Sequence, residues 1–218
     1  MIELKNVAKS YGEVWPISEL SLHIDKGEFV AILGPSGSGK TTLLYLMAGL
    51  LTPCQGEVII DGISLYQENK KEQIAYRRNN FGFVFQDFNL IPYLTVLQNV
   101  EIPLHLIGKD KQEQKQQALE LLKSVHLEDK TERLPKELSA GEQQRAAIAR
   151  ALANNPQIVF ADEPTGNLDS ENGKEIMNHM EALSRKGRTV LLVTHDAGMA
   201  ACAHRQIRLE DGRLCNEN

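Results

Sequence analysis

The chain has 218 residues, enough for one large α/β domain with a small helical insertion, and its 42% hydrophobic and 24% charged residues are ordinary for a folded protein. Its 24 basic and 29 acidic residues give a formal net charge of −5, and so no electrostatic reason to expect nucleic acid or anionic lipid as a partner. Cys54, Cys202 and Cys215 lack metal-ligand spacing, as is typical of reduced thiols in a cytosolic protein. We expect no signal peptide and no membrane-spanning segment, because no suitable apolar stretch occurs.

Short apolar runs alternate with helical patterns along most of the chain. Alternating apolar residues at 2–7 predict an edge strand, and those at 20–24 predict a second strand. Further strands are predicted at 29–33, 57–60, 81–85, 158–161 and 189–194, and helices at 42–50, 111–125, 139–153 and 171–185. Continuously apolar strands separated by helices indicate a mostly parallel sheet covered on both faces. A helical stretch between about 88 and 154 interrupts this α/β pattern.

A glycine-rich turn follows the apolar strand at 29–33. It matches the pattern G-x-x-x-x-G-K-[ST] over Gly34, Pro35, Ser36, Gly37, Ser38, Gly39, Lys40 and Thr41. The glycines allow backbone N–H groups to point at phosphate oxygens, and the following helix adds its positive N-terminal end. Lys40 is predicted to reach the β- and γ-phosphates, and the Thr41 hydroxyl to bind Mg²⁺. The turn therefore predicts an ATP site, which extends to Thr42.

Two acidic residues, Asp162 and Glu163, end the apolar strand at 158–161. In open α/β sheets, ligands bind at the edge formed by the carboxyl ends of the strands. Asp162 is predicted to hold Mg²⁺ through water, and Glu163 to polarise the water that attacks the γ-phosphate. Together with the glycine-rich turn at 34–41, called the phosphate loop below, this pair indicates an ATPase.

Three further motifs narrow the class. Residues 138–145 read Leu-Ser-Ala-Gly-Glu-Gln-Gln-Arg, in which Ser-x-x-Glu is a capping box that starts a helix and exposes its N–H groups to an anion. Gln86 directly follows the apolar strand predicted at 81–85, and His195 directly follows the one predicted at 189–194. In their order and separation, the five features resemble the ABC transporter family of ATPases, and the resemblance covers essentially the whole chain.

The resemblance implies a P-loop ATPase fold with N-terminal antiparallel strands, a mostly parallel core sheet and an inserted α-helical subdomain. A single domain over 1–218 would comprise a catalytic core of 1–87 and 155–218 and a helical subdomain of 88–154. The segment at 138–145 resembles the family's signature motif, which this subdomain would carry.

The resemblance also implies roles for single residues. Gln86 would contact Mg²⁺ and the attacking water, and His195 would contact the γ-phosphate. Ser139 and Gly141 would bind ATP from the signature motif. Tyr11 would stack on adenine, as an exposed aromatic ring is able to do.

Partners follow from the same resemblance. Two copies of the chain would pair head to tail, with each ATP between the phosphate loop of one copy and the signature of the other. An integral membrane permease would bind the pair, which places the chain peripherally on the cytoplasmic face of the cell membrane. The permease selects the cargo in this family, so the sequence does not name one.

A branch of the family is also indicated. Residues 83–92, 141–145 and 161–169 are similar to the lipoprotein-release and macrolide-export group, and 167–169 fall at the family's D-loop. Ala140 departs from the pattern, because the signature usually has a glycine there. If φ were positive, alanine would be destabilising, whereas in helical or extended backbone it would stabilise by about 0.4–1 kcal/mol. We favour the second alternative.

A loop after Gln86 is rich in apolar and aromatic residues. We expect it to be the docking surface for the permease, because a peripheral subunit must bury a partly apolar surface against its partner. The alternative is that these side chains pack the helical subdomain onto the core. The residues are Phe88, Leu90, Ile91, Pro92, Tyr93 and Leu94.

Three other functions compete with a transporter subunit. An ABC ATPase acting on DNA or ribosomes usually has two cassettes or long coiled-coil insertions, and this chain has neither. A phosphate-loop kinase has no use for a signature motif. The presence of Glu163 and His195 argues against a regulatory module that binds ATP without hydrolysing it.

Overall fold

The computed structural model describes residues 2–217, with side chains up to Cys215. In chain order its elements are β1 (Ile2–Tyr11), β2 (Val14–Ile24), β3 (Phe29–Leu33), α1 (Lys40–Met47), β4 (Gln55–Ile60), β5 (Ile63–Ser64), α2 (Lys70–Asn80), β6 (Phe81–Phe85), α3 (Val96–Leu106), α4 (Lys111–Ser124), α5 (Ala140–Leu152), β7 (Ile158–Asp162), α6 (Ser170–Arg185), β8 (Thr189–Thr194), α7 (Ala197–Ala200), β9 (Arg205–Glu210) and β10 (Arg213–Glu217). None of the described helices is both long and apolar enough to cross a membrane.

The chain forms two compact units. One contains the residues up to Arg77 together with those from His179 onward, and the other is Arg78–Asn178. The sequence predicts a different kind of division, by function, into a catalytic core of 1–87 and 155–218 and a helical subdomain of 88–154. That division stays a prediction.

The first unit contains an antiparallel sheet with the strand order β2-β1-β4-β5. Since β1 pairs with both β2 and β4, the prediction of an edge strand at 2–7 is wrong. Ile2, Leu4 and Val7 are buried, so the alternation reflects one buried face. One-sided burial produces the same alternation in inner and outer strands of an antiparallel sheet.

The first unit also contains strands β3, β8, β9 and β10. β3 pairs in parallel with β8 and with β9, and β10 pairs antiparallel with β9. The residues Phe29, Val30, Ala31 and Ile32 of β3 are fully buried, as expected for a strand covered on both faces. The structure thus confirms the strands predicted at 29–33 and 189–194.

The second unit contains the parallel pair β6 and β7 and the helices α3, α4 and α5, which pack on one another. The predicted helical character of the middle third is confirmed.

The helix α2 was not predicted, because none of its residues is buried and its sequence therefore has no apolar stripe.

Candidate functional site

The glycine-rich turn joins β3 to α1, and its backbone bends at two glycines. Gly37 has φ +80°, and Gly39, the N-cap of α1, has φ +100°. A Cβ atom at Gly39 would lie 2.1 Å from the carbonyl oxygen of Pro16, so no other residue fits this position. Gly39 offers no side-chain cap to α1, and the N–H groups of a first helical turn lack intrahelical acceptors. This start of α1 suits an anion.

Polar groups inside the turn could make further hydrogen bonds to a phosphate. The Lys40 ammonium donates to the carbonyl oxygens of Gly34 and Pro35, each at 2.9 Å. Within the described part of the chain, the buried hydroxyl of Ser38 has no hydrogen-bond partner. A cation and an unsatisfied hydroxyl in one glycine-bent turn are what a polyphosphate requires. The residues of the turn therefore fit ATP.

The turn between β9 and β10 supports the phosphate loop. The Gly212 N–H donates to the Ser38 carbonyl at 3.1 Å, and the Gly212 carbonyl accepts from the Ser18 N–H at 3.0 Å. A Cβ atom at Gly34 would lie 2.2 Å from the Leu209 carbonyl oxygen. The loop is thus held between the C-terminal hairpin and β2.

His195 directly follows β8, which is the neighbour of the strand that leads into the phosphate loop. β3 and β8 are parallel, and Leu33 lies opposite Thr194. Gly34 and His195 are the next residues, so the loop and the histidine leave the sheet at the same edge. The His195 side chain is exposed.

Tyr11 lies at the tip of the hairpin formed by β1 and β2, opposite Val14. Tyr11 is 53% exposed, and the Lys9 ammonium lies 5.2 Å from the centroid of its ring. Two residues after Val14, Pro16 meets Gly39 of the phosphate loop. The hairpin thus places an exposed aromatic ring on the strand pair that adjoins the loop.

In the second unit, β6 and β7 bring their ends together. Phe85 lies opposite Asp162 in parallel pairing, so Gln86 and Glu163 follow at neighbouring positions. Glu163 has φ +48°. This left-handed backbone costs a residue with a side chain about 1–2 kcal/mol, and such strain concentrates at functional sites.

The segments after β6 and β7 are tied together. The Asn167 amide donates to the Gln86 carbonyl and to a carboxylate oxygen of Asp87, both at 3.0 Å. A Cβ atom at Gly166 would lie 3.0–3.2 Å from side-chain atoms of Gln86. Since Gly166 admits this approach, the side chain of Gln86 lies close to the turn that follows Glu163.

The predicted capping box is confirmed at the start of α5. The Glu142 N–H donates to the Ser139 hydroxyl at 3.3 Å, and the Ser139 N–H donates to the Glu142 carboxylate at 2.8 Å. The hydrogen bond from the Ser139 N–H lowers the pKa of Glu142, which keeps its carboxylate charged. The Ser139 hydroxyl accepts in this box, so its proton is not used there.

Ala140 and Gly141 begin α5. Ala140 is the first helical residue and has no positive φ, so the helical alternative for this position holds. A Cβ atom at Gly141 would lie 2.2 Å from the Asn172 side-chain oxygen. The Asn172 amide in turn donates to Asp169 at 2.6 Å, which limits its freedom to move away. A side chain at 141 would therefore force Asn172 to move from its present position.

Comparison with known proteins identifies the family. A sequence profile described as ABC transporter matches residues 17–166. The chain belongs to the ABC transporter family. It is 47% identical over 218 residues to the uncharacterized ABC transporter ATP-binding protein MJ1508 of Methanocaldococcus jannaschii, covering 98% of this chain and 97% of that protein. It is 46% identical over 214 residues to the lipoprotein-releasing system ATP-binding protein LolD of Aquifex aeolicus, covering 98% and 94%.

A solved ABC structure matches the whole fold. The dimeric structure of a post-hydrolysis state of the ATP-binding cassette MJ0796, bound to ADP and Pi, has a TM-score of 0.93 and 46% sequence identity. The match covers 100% of this chain and 98% of that chain. The predicted family, fold class and ATPase function of this ABC subunit are confirmed, whereas the roles of single residues stay predictions.

Sequence reasoning missed the hairpin that supports the phosphate loop of this ABC subunit. Asp211 and Gly212 both have positive φ, at +47° and +74°, as in the two-residue turns that favour Asp-Gly. The Asp-Gly pair between the alternating segments 205–210 and 213–217 was the signal that could have identified it.

Proposed function

We propose that this ABC subunit binds ATP and Mg²⁺, hydrolyses ATP as one of two identical chains, and drives an integral membrane permease from the cytoplasmic face. The phosphate loop carries the proposal, because its glycine-bent backbone, the uncapped start of α1 and the Lys40 ammonium lie in one turn. Similarity to the lipoprotein-release branch supports a permease that performs mechanical work. It does not select a cargo.

The nucleotide is held by groups of the first unit. The loop N–H groups and Lys40 bind the phosphates, and Lys40 exchanges its bonds to the Gly34 and Pro35 carbonyls for bonds to phosphate oxygens. Tyr11 stacks on adenine. Residues Gly34, Pro35, Ser36, Gly37, Ser38, Gly39, Thr41 and Thr42 complete the cradle.

Oxygen ligands are available for Mg²⁺. We assign the ion to the Thr41 hydroxyl, the Gln86 side chain and the Asp162 carboxylate, all of which suit a hard cation. The described residues include no group of three or more His, Cys, Asp or Glu side chains that could hold a metal ion. An ion held partly by nucleotide phosphates needs only one or two carboxylates. When bound, Mg²⁺ neutralises charge on the phosphates.

Hydrolysis rests on three side chains. Glu163 orients and polarises the attacking water, Gln86 contacts the same water, and His195 contacts the γ-phosphate. The left-handed backbone of Glu163 fixes the direction in which its side chain leaves β7. Positioning and charge stabilisation then account for most of the acceleration.

Each ATP joins two copies of the chain. Ser139 and the N–H groups near Gly141 bind the γ-phosphate held by the partner's phosphate loop. The capping box leaves the hydroxyl proton of Ser139 available for this contact. Because ATP contacts both copies, it favours the closed dimer, and loss of products releases it.

The loop after Gln86 has the surface expected of a docking site. Tyr93 is 77% exposed, and Phe88, Leu90, Ile91 and Leu94 are half-buried. The buried Asn99 fixes this loop, because its side chain accepts from the Ile91 N–H at 2.7 Å and donates to the carbonyls of Ile91, Leu94 and Thr95 at 3.0–3.2 Å.

A cavity of about 270 Å³ beside the loop offers room for a partner's side chains. Aromatic rings and the Arg150 guanidinium line it, and that guanidinium also donates to the carbonyls of Phe88 and Asn89. A rigid loop next to a partly apolar cavity fits a peripheral subunit that binds a permease.

Tyr93→Glu is expected to weaken permease binding at least about 10-fold, since an exposed aromatic at an interface centre is a common source of affinity. Co-purification from detergent extract measures the effect. The ATPase rate and melting temperature of the isolated subunit should not change, because Tyr93 packs on little of its own chain. Leu119→Glu, at a 38% exposed apolar residue on α4, is the matched control. If Tyr93→Glu retained the permease as well as the control did, the docking surface would lie elsewhere.

Lys40→Ala is expected to weaken ATP binding about 10- to 100-fold, because charge-assisted hydrogen bonds to the phosphates are lost. Calorimetric titration with ATP measures the affinity. Lys26→Ala removes an exposed lysine of the same unit and should bind like the parent. Tight ATP binding by the Lys40 variant would contradict the proposal that the phosphate loop binds ATP.

A further inference from the structure

Gln144 is the only glutamine of α5 that is completely buried in the described structure. Its amide nitrogen donates to the Pro164 carbonyl at 2.7 Å and to the Phe85 carbonyl at 3.3 Å. One side chain of α5 therefore hydrogen-bonds both to the last residue of β6 and to the turn after β7, which are far apart in sequence.

Both acceptors lie close in sequence to proposed catalytic residues: the Phe85 carbonyl is in the peptide group that precedes Gln86, and the Pro164 carbonyl is one peptide group beyond Glu163. Phe85 directly precedes Gln86, and Pro164 directly follows Glu163. The Glu163 backbone is left-handed, with φ +48°, so the orientation of its peptide groups has to be held by neighbours. Through the Pro164 carbonyl, the Gln144 amide holds the residue that directly follows Glu163.

The side-chain oxygen of Gln144 is buried and has no hydrogen-bond partner among the described residues. Leaving a buried acceptor unsatisfied is destabilising, so burial alone would favour an apolar side chain here. The opposite amide orientation would place this oxygen against two carbonyl oxygens, which fixes the assignment of donor and acceptor. What Gln144 contributes is its N–H donors.

We propose that Gln144 is a positioning residue that aligns Gln86 and Glu163 for hydrolysis and links them to α5, the helix whose N-cap is Ser139. The inference rests on the proposed function. Because Ser139 binds the partner's nucleotide in that proposal, Gln144 connects the site that α5 completes with the catalytic residues of its own chain.

Gln144→Met tests the assignment, because methionine has similar length but no donor. The kcat for ATP hydrolysis is expected to fall about 10- to 100-fold, the effect of misplacing catalytic groups by a fraction of an ångström to one ångström. The Kd for ATP should stay within about threefold of the parent, since the proposal assigns the ATP contacts to other residues and not to Gln144.

Gln114→Met is the matched control. Gln114 is also a buried glutamine of the second unit, and its amide donates to the Lys109 carbonyl at 2.6 Å, a bond unconnected to β6 or β7. It should keep the parental kcat and Kd. The melting temperatures of both variants show how much each loses in stability alone.

Gln144→Asn provides a second variant that retains polarity, but its shorter amide does not reach both carbonyls. Reduced kcat with unchanged Kd in both Gln144 variants supports positioning. The assignment is overturned if kcat stays within about threefold of the parent, or if kcat, ATP affinity and melting temperature fall together, which indicates a purely structural role. An inactive parent chain would instead contradict the proposed function and the inference with it.

Discussion

Glu163→Gln should slow ATP hydrolysis about 10²- to 10⁴-fold, the range expected when a general base is removed. ATP affinity should remain near that of the parent, because the proposed phosphate site is the loop between β3 and α1. Glutamine has the same shape as glutamate and meets the same left-handed backbone at φ +48°, so the substitution adds no new strain. Single-turnover hydrolysis and calorimetric ATP binding measure the two quantities separately.

Glu128→Gln is the control, since Glu128 is an exposed residue of the same unit. It should hydrolyse ATP at the parental rate. Turnover by Glu163→Gln within about threefold of the parent would contradict the assignment of Glu163 as general base, and the Asp162 carboxylate would be the next candidate for that role.

Features governed by local rules could be predicted from the sequence. The glycine pattern at 34–41 requires special backbone angles, and Gly37 and Gly39 have them. The capping box requires only Ser139 and Glu142 at the right spacing, and it forms. Apolar runs such as 189–194 became buried strands for the same reason.

Features that depend on distant partners could not be predicted. Gln144 meets Phe85, 59 positions away, and no local pattern indicates that contact. The sequence likewise gives no signal that Asn99 fixes the loop of Tyr93, because its partners are backbone groups of that loop. The alternating pattern of β1 gave its buried face correctly but not its neighbours, because burial of one face does not define the strand order.

Composition explains two further omissions. The exposed helix α2 has no apolar stripe, so its periodicity gives no signal. The strand β9 contains only two buried apolar residues, Ile207 and Leu209, among charged and polar neighbours. The turn that follows β9 nevertheless contacts the phosphate loop through Gly212. The weak sequence signal of β9 therefore hid a contact at the proposed nucleotide site.

The central claim is that two chains share each ATP, and mixed dimers test it. A Ser139→Arg chain and a Lys40→Ala chain each form homodimers in which both sites are defective. In a mixed dimer, one site carries both defects and the other carries neither. The sharing of sites therefore predicts that activity appears on mixing.

The matched control mixes Lys40→Ala with Glu163→Gln. Both changes affect residues that, in the proposed arrangement, serve the nucleotide of their own chain. Each site of this mixed dimer is therefore defective, and activity should not return. The parental dimer and the three homodimers set the limits of the assay.

The decisive measurement is the ATPase rate of the two kinds of mixed dimer, isolated through different affinity tags on the two chains. We expect the Ser139→Arg and Lys40→Ala dimer to reach up to about half of the parental rate, less if the sites are coupled, while the Lys40→Ala and Glu163→Gln dimer stays inactive. Equal inactivity of both mixed dimers, together with a parental rate per chain that does not fall on dilution to monomers, would contradict the shared site.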